Sequence, residues 1–250
     1  MFTKYFYLVR HGETILNKEK IRQGEEGKLS PVGVEEVEEL SKRLLNMNID
    51  KILVSPFERT RETAQIINSY LKLPENKIII TKLIGERKNP TIIVGKHYDD
   101  PVAKSFIDKM DKTIHDPDLR IYDEENFTDL RDRAIKAQKF LIRNGSHHTL
   151  CVTHGIFLKM FLSTLLYGKD LTVKQYAEMA LYNPADNAGV TLVKYDPIKK
   201  LTRPFKKFIS NIFNDDINNL DTNNKIDKYS PWSILAYNDY TRDGFKKLHI

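Results

Sequence analysis

The stretch YFYLVRHGETILN (residues 5–17) shows how this chain begins to fold. Its first five residues are apolar or aromatic, which is typical of a strand that is buried on both faces of a parallel sheet. Arg10 and His11 follow at once, and Asn17 comes soon after them. The stretch therefore places chemically capable side chains at the point where a buried strand ends.

The composition is that of an ordinary globular protein. Of the 250 residues, 40% are hydrophobic and 30% are charged, which allows a sizeable core and excludes a disordered or fibrous chain. We expect a single domain over residues 1–250. The 40 Lys and Arg against 34 Asp and Glu give a net charge of +6 that forms no basic arm, and no nucleic-acid-binding motif is found. We therefore expect no nucleic-acid partner.

Cysteine usage and hydropathy indicate the compartment. Cys151 is the only cysteine and cannot form an internal disulfide, which agrees with a reducing environment. The first apolar run is too short for a signal peptide, and no uninterrupted apolar stretch has the length of a membrane span. These features predict a cytoplasmic protein.

Short β-rich runs alternate with helical patterns along the chain. This alternation predicts an α/β fold in three layers, with a mostly parallel central sheet and helices on both faces. Strands are predicted at 5–9, 51–54, 77–81, 149–153, 190–195 and 233–237. Helices are predicted after the cap-and-proline pairs Ser30-Pro31 and Ser55-Pro56, from Phe127 to Asn144, and beyond Gly155.

Two segments fit the alternation poorly. Residues 83–125 form a long, loop-rich crossover with one helix predicted near 102–113, as is common for a lid or specificity region. Residues 197–231 are rich in Lys, Asn and Asp, and we interpret them as an insertion in a hairpin connection. Within it, 198–213 is basic and amphipathic, which could suit an anionic membrane surface. We expect instead that its apolar face packs on the domain while its lysines reach water.

Polar side chains follow three of the predicted strands. Arg10 and His11 follow the first strand, Arg59 follows the second, and His154 follows the strand that contains Cys151. Ligands bind beyond the carboxyl ends of strands in such sheets. Arginine forks and helix N-termini suit a phosphoryl group, and a neutral imidazole among them can attack phosphorus. The pattern predicts an anion site with a histidine nucleophile.

The motifs at these strand ends also carry a family resemblance. LVRHGET (8–14), SPFERTRETA (55–64) and VTHG (152–155), in this order, resemble the histidine phosphatase superfamily, also known as the phosphoglycerate mutase-like family. The similarity runs from about residue 6 to residue 195, and WSILAYND (232–239) resembles a last strand of many members. The resemblance implies a metal-independent phosphatase that hydrolyses phosphomonoesters through a phosphohistidine, without a cofactor.

The resemblance also implies residue roles. The nucleophile would be His11, and the side chains that hold the transferring phosphoryl group would be Arg10, Asn17, Arg59 and His154. Arg59 matches the motif and Arg61 does not. Because two positions along a helix differ by about 200° in direction, only one of these arginines can face the pocket, and we expect Arg61 to be solvated.

A proton donor for the leaving oxygen is also implied by the resemblance. Glu86, in the crossover after the third strand, fits that place, and it would act together with His11 and His154. Other acids of the same crossover are alternatives, namely Asp99, Asp100, Glu124 and Glu125.

Other functions are weighed against this one. A cofactor-dependent phosphoglycerate mutase would use the same histidine and arginines, but the run Arg87-Lys88-Asn89-Pro90 departs from the mutase motif after the glutamate. A catalytically silent phospho-ligand-binding protein of the same fold is a third alternative. A cysteine-dependent phosphatase is excluded, because Phe157 stands where its arginine is needed.

The sequence leaves the substrate and the oligomeric state open. The substrate could be a phosphorylated small molecule or a phosphoprotein. Residues that could complement a second acidic group on it are Lys82, Arg87, Lys88, Lys96 and His97.

Overall fold

A six-stranded sheet forms the centre of the molecule in the computed structural model, which describes residues 2–110, 116–199 and 230–239. The strands are β1 (Lys4–Arg10), β2 (Lys51–Val54), β3 (Ile78–Ile80), β4 (His148–Thr153), β5 (Val190–Tyr195) and β6 (Trp232–Asp239). Their order across the sheet is β3-β2-β4-β1-β5-β6. Each predicted strand is found, with ends that differ by at most about two residues from the prediction.

The strand directions confirm a mostly parallel sheet. β1 pairs in parallel with β4, and β2 pairs in parallel with both β4 and β3. β5 is antiparallel to β1 and to β6, so it alone runs against the other strands. The carboxyl ends of β1, β2 and β4 therefore meet at one edge of the sheet.

Helices cover both faces of this sheet. The helices are α1 (Ile15–Lys18), α2 (Pro31–Leu44), α3 (Glu58–Leu71), α4 (Pro101–Met110), α5 (Phe127–Asn144), α6 (Gly155–Tyr167) and α7 (Val173–Tyr182). In β1, Phe6 and Leu8 pack toward α5 and α6, whereas Tyr7 and Val9 pack toward α2 and α3. Since successive side chains of a strand point to opposite faces, the apolar run of β1 fills both cores, and the three-layer prediction is confirmed.

The start of α3 corrects one prediction. The helix begins at Glu58 with Phe57 as its N-cap residue, and no side chain caps it. The predicted cap at Ser55 is therefore wrong, because its hydroxyl is bonded to His154 instead.

α7 was not predicted. Thr172 and Gln175 form a capping box at its start, which is the signal that could have revealed it.

The irregular crossover contains short elements. Besides α4, it holds 3-10 turns at Lys82–Ile84 and Thr91–Ile93. The helix predicted near 102–113 is seen as α4, and 111–115 lie outside the described residues. The predictions for the insertion, including a packed amphipathic segment at 198–213, fall almost wholly outside the described residues.

The loop after β1 is clamped against the start of α2. Ser30 caps α2 by accepting the Gly33 N–H at 3.0 Å, and its own N–H and hydroxyl donate to Glu13 at 2.8 and 2.7 Å. A Cβ on Gly12 would lie 2.6 Å from the Gly33 carbonyl oxygen. Two glycines thus allow the close backbone approach that fixes where the residue after Arg10 points.

Membrane-spanning potential was examined over the same described stretches. None of their helices is both long enough and apolar enough to cross a bilayer.

Candidate active site

The parallel pairing of β1 with β4 brings the two histidines together. Arg10 and Thr153 are register partners at the ends of these strands, so His11 and His154 follow side by side. Their ring centroids are 5.3 Å apart. The side chain of Arg59, on the first turn of α3, is 3% exposed, and the two histidines are 3% and 0% exposed. The structure therefore gathers the residues that the three motifs predicted.

His11 is held in one tautomer. Its Nδ1 lies 2.8 Å from the Gly12 carbonyl oxygen, which can only accept, so Nδ1 carries the proton and Nε2 has a free lone pair. Burial, followed by the nearby charges of Arg59 and Arg10, lowers the pKa of His11 well below its usual value. The ring is therefore neutral and presents a nucleophilic nitrogen.

Two arginines flank this nitrogen with donors to spare. Arg10 Nη1 donates to the Ala185 carbonyl at 2.6 Å, and Arg59 Nη1 donates to the Gly24 carbonyl at 2.9 Å. The Nε atoms of both arginines are buried and have no partner among the described residues. Burial lowers the pKa of Arg59 to about 10, so it stays charged at neutral pH. Such forks match the oxygens of a phosphoryl group.

His154 is oriented by Ser55. The serine hydroxyl lies 2.8 Å from His154 Nε2, and both side chains are fully buried. The Phe57 ring packs 4.8 Å from the imidazole, centroid to centroid. Burial, then Arg59, lowers the pKa of His154 well below its usual value, so this ring is neutral too. Sequence reasoning missed Ser55 because the cap interpretation already accounted for it.

A cavity of about 280 Å³ opens in front of His11. Arg10, Arg59 and Glu86 line it, whereas His154 does not and lies deeper, behind the His11 ring. Asn17 also lines the cavity, and its Oδ1 accepts the Thr14 hydroxyl at 2.9 Å. A larger cleft of about 740 Å³ shares Arg59 and Glu86 with it, so the two spaces are continuous.

Glu86 reaches the cavity from the irregular crossover. Its Oε1 accepts the Arg87 and Phe157 N–H groups at 2.9 and 3.0 Å, and its Oε2 accepts the Ile156 N–H at 3.2 Å. The carboxylate thus sits on the N-terminus of α6, where the helix dipole favours negative charge. Oε2 has one backbone bond and is the oxygen better placed to carry a proton.

Arg133 fixes the segment that bears Glu86. Its guanidinium donates to the carbonyls of Leu83, Gly85 and Glu86 at 3.1, 2.8 and 3.2 Å. It also pairs with Glu125 at 2.6 and 2.7 Å. Sequence reasoning missed this support, because contacts made to backbone carbonyls leave no motif.

The alternative acids are committed elsewhere. Glu124 is fully buried and accepts two backbone N–H groups at 2.7 and 2.8 Å, while Glu125 pairs with Arg133. Asp99 pairs with Lys104, Asp100 pairs with Lys96, and neither acid lines the cavity. The geometry therefore favours Glu86. Arg61 is exposed on α3, as expected.

Metal ligands were sought over the described stretches of chain. There, no group of three or more His, Cys, Asp or Glu side chains is arranged to hold a metal ion.

Comparison with known proteins identifies the family. The model of the histidine phosphatase superfamily (branch 1) matches residues 6–203, and the chain belongs to this superfamily. A curated relative, "Probable phosphoglycerate mutase GpmB" from Proteus mirabilis, is 30% identical over 167 residues, which cover 64% of this chain and 74% of that protein. "Probable phosphatase C1687.21" from Schizosaccharomyces pombe is 43% identical over 83 residues, covering 32% of this chain and 38% of that one.

A solved structure extends the likeness in fold to nearly the whole chain. It is a phosphoserine phosphatase mutant from Entamoeba histolytica in complex with phosphoserine, with a TM-score of 0.64 and 16% identity. The match covers 96% of this chain and 98% of that one.

Proposed function

We propose that the protein is a metal-independent phosphatase that hydrolyses phosphomonoesters through a phosphohistidine on His11. The observation that carries the proposal is the bond from His11 Nδ1 to the Gly12 carbonyl, which leaves Nε2 free beside two arginines. The partner is a phosphorylated small molecule, with a phosphoprotein as the alternative, and a lone buried cysteine agrees with a cytoplasmic location.

The first step transfers the phosphoryl group to the enzyme. Arg10 and Arg59 hold the phosphoryl oxygens, and His11 Nε2 attacks phosphorus as the bond to the leaving oxygen breaks. Glu86 gives its proton from Oε2 to that oxygen, so the alcohol leaves neutral. The Nδ1–H bond to the Gly12 carbonyl stabilises the positive charge that develops on the ring.

The second step releases phosphate. Water attacks the phosphohistidine from the side that the alcohol has left, and the P–N bond breaks. The Glu86 carboxylate takes the water proton and returns to its starting state. Each proton gained or lost is thereby balanced without a further reactant.

A mutase is the second candidate, favoured by the relative that bears that name. A mutase must return the phosphoryl group to a bound acceptor rather than to water. Steady phosphate release from a simple phosphomonoester, without a bisphosphoglycerate primer, supports the phosphatase. Activity that appears only after priming supports the mutase.

Trapping the intermediate tests the mechanism. Rapid quenching with a radiolabelled phosphomonoester is expected to give protein-bound phosphate that is labile to acid, located on His11 by peptide mapping. His11→Ala abolishes both labelling and turnover, whereas His147→Ala, at an exposed histidine, retains both. Turnover also persists in a chelator. Near wild-type turnover by His11→Ala contradicts the proposal.

A further inference from the structure

The cavity carries more positive charge than one phosphoryl group explains. Its lining includes five cationic side chains, which are Arg10, Arg22, Arg59, Arg87 and Lys159. In the described part of the chain, Glu86 is the one carboxylate that lines this cavity, and it is bonded to the start of α6. A phosphate monoester brings a charge of only about −1.5 to −2 at neutral pH.

Arg22 and Arg87 lack the partners that their neighbours have. Neither takes part in any ion pair between described residues. The Nε atoms of both are buried without a hydrogen-bond partner in that same set of residues. Arg87 has one long side-chain bond, from Nη2 to Asn89 Oδ1 at 3.4 Å. Burying such donors without an acceptor is costly, so a ligand that supplies acceptors is expected.

The backbone and an aromatic ring hold Arg22 in place. Its N–H donates to the Lys96 carbonyl at 2.9 Å, and its carbonyl accepts the Gly95 N–H at 2.9 Å. Its guanidinium carbon lies 4.8 Å from the centre of the Tyr98 ring. Stacking on a ring leaves the in-plane N–H groups of an arginine available to a ligand. The positive charge of Arg87 also lowers the pKa of Arg22, which shows that the two like charges lie near each other.

We propose that Arg22 and Arg87 form a second anion-binding arm of this cavity, so that the substrate is a phosphomonoester with a second acidic group. That group is a carboxylate or a second phosphate, either of which matches an arginine fork. The inference rests on the proposed function, because it treats the Arg10 and Arg59 side of the cavity as the place of the reacting phosphoryl group. It adds Arg22, which no sequence motif had singled out.

Matched esters test the preference. Phosphoglycolate is compared with 2-hydroxyethyl phosphate, and 1,3-propanediol bisphosphate is compared with propyl phosphate, so each pair differs in one acidic group. We expect the wild-type kcat/KM to favour the acidic member of at least one pair by about 10- to 100-fold, the range of one or two charged hydrogen bonds. The pair with the larger ratio tells carboxylate from phosphate. Ratios near one in both pairs overturn the proposal.

Variants assign the preference to residues. Arg22→Gln and Arg87→Gln are each expected to lower the ratio by about tenfold or more. The matched control is Arg61→Gln, at an exposed arginine outside the cavity, and it keeps the wild-type ratio. If the two cavity variants keep the wild-type ratio, the arm does not exist.

A binding measurement separates this inference from the proposed function. Titration calorimetry compares 3-phosphonopropionate with propylphosphonate, which differ only in the carboxylate, and 1,3-propanebisphosphonate provides the second arm. Tighter binding of an acidic analogue, weakened in Arg22→Gln, supports the second arm even if no ester is hydrolysed, and the proposed function alone then fails. Hydrolysis of all esters with equal binding of the three analogues sinks the second arm and leaves the phosphatase standing.

Discussion

Replacing Glu86 by Gln separates the chemistry of this residue from its structural bonds. The glutamine keeps an oxygen that can accept the Arg87 and Phe157 N–H groups, but its amide nitrogen then faces the Ile156 N–H, now 3.2 Å from Oε2. It has no proton to give to a leaving oxygen. We therefore expect a large loss of activity together with a small loss of stability.

The two losses differ in size. A positioned general acid contributes about 10²- to 10⁴-fold, which is about 2.7–5.4 kcal/mol in activation free energy. One buried N–H left without an acceptor costs about 1–3 kcal/mol of folding free energy. For a chain of 250 residues, each kcal/mol lowers Tm by about 2–4 °C, so the variant remains folded at assay temperature.

The assay compares two leaving groups. An alkyl phosphate needs a proton on its leaving oxygen, so we expect kcat for it to fall by about 10²- to 10⁴-fold in Glu86→Gln. Nitrophenyl phosphate leaves as a stable phenolate and is expected to lose less than about tenfold. Glu35→Gln, at an exposed position of α2, serves as the matched control and changes neither rate. Equal losses for both esters, with Tm lowered as calculated, refute the acid role and leave Glu86 as a support for α6.

Three further predictions follow from the buried groups. Because the pKa values of His11 and His154 are lowered in the folded state, the unfolded chain takes up protons near pH 6.5 that the folded chain refuses. Stability therefore falls as pH drops below about 6.5, by up to about 2.7 kcal/mol per pH unit for two groups, which urea unfolding at pH 7 and pH 5 measures; a slope unchanged in His154→Gln contradicts this. Ser55→Ala strands His154 Nε2 and is expected to lower the free energy of urea unfolding by about 1–3 kcal/mol, while exposed Ser69→Ala stays within about 0.5 kcal/mol. Burial raises the pKa of Cys151, so iodoacetamide at neutral pH is expected to leave both mass and activity unchanged, and inactivation that tracks alkylation argues against this.

The fold could be predicted where burial leaves a pattern in the sequence. β1 fills two cores, so its residues read as a continuous apolar run, and α2 shows helical spacing because one face packs on the sheet. α7 has no buried residue among those described for it, and it therefore lacks an apolar stripe to detect. The start of α3 was misjudged because Ser55 makes its main bond to a residue far away in sequence, which local capping rules do not consider.

The site could be predicted as a set of residues but not as a network. Strand order along one sheet edge suffices to bring His11, His154 and Arg59 together. Which atoms satisfy which donors depends on contacts between distant segments, such as Arg133 with the Glu86 carbonyl. Arg22 escaped notice for the same reason, since its unpaired state is a property of the folded cavity.

The start of α6 joins two parts of the mechanism that lie far apart in sequence. His154 is the N-cap residue of this helix, and the first N–H groups beyond Gly155 bind the Glu86 carboxylate. A Cβ on Gly155 would lie 3.4 Å from Arg10 Nε, so the helix also approaches the phosphoryl-binding arginine closely. The helix N-terminus therefore sets the position of the proposed acid relative to the proposed nucleophile. Any change that shifts α6 moves His154 and Glu86 together, and the two side chains act as one unit of the site rather than as independent groups.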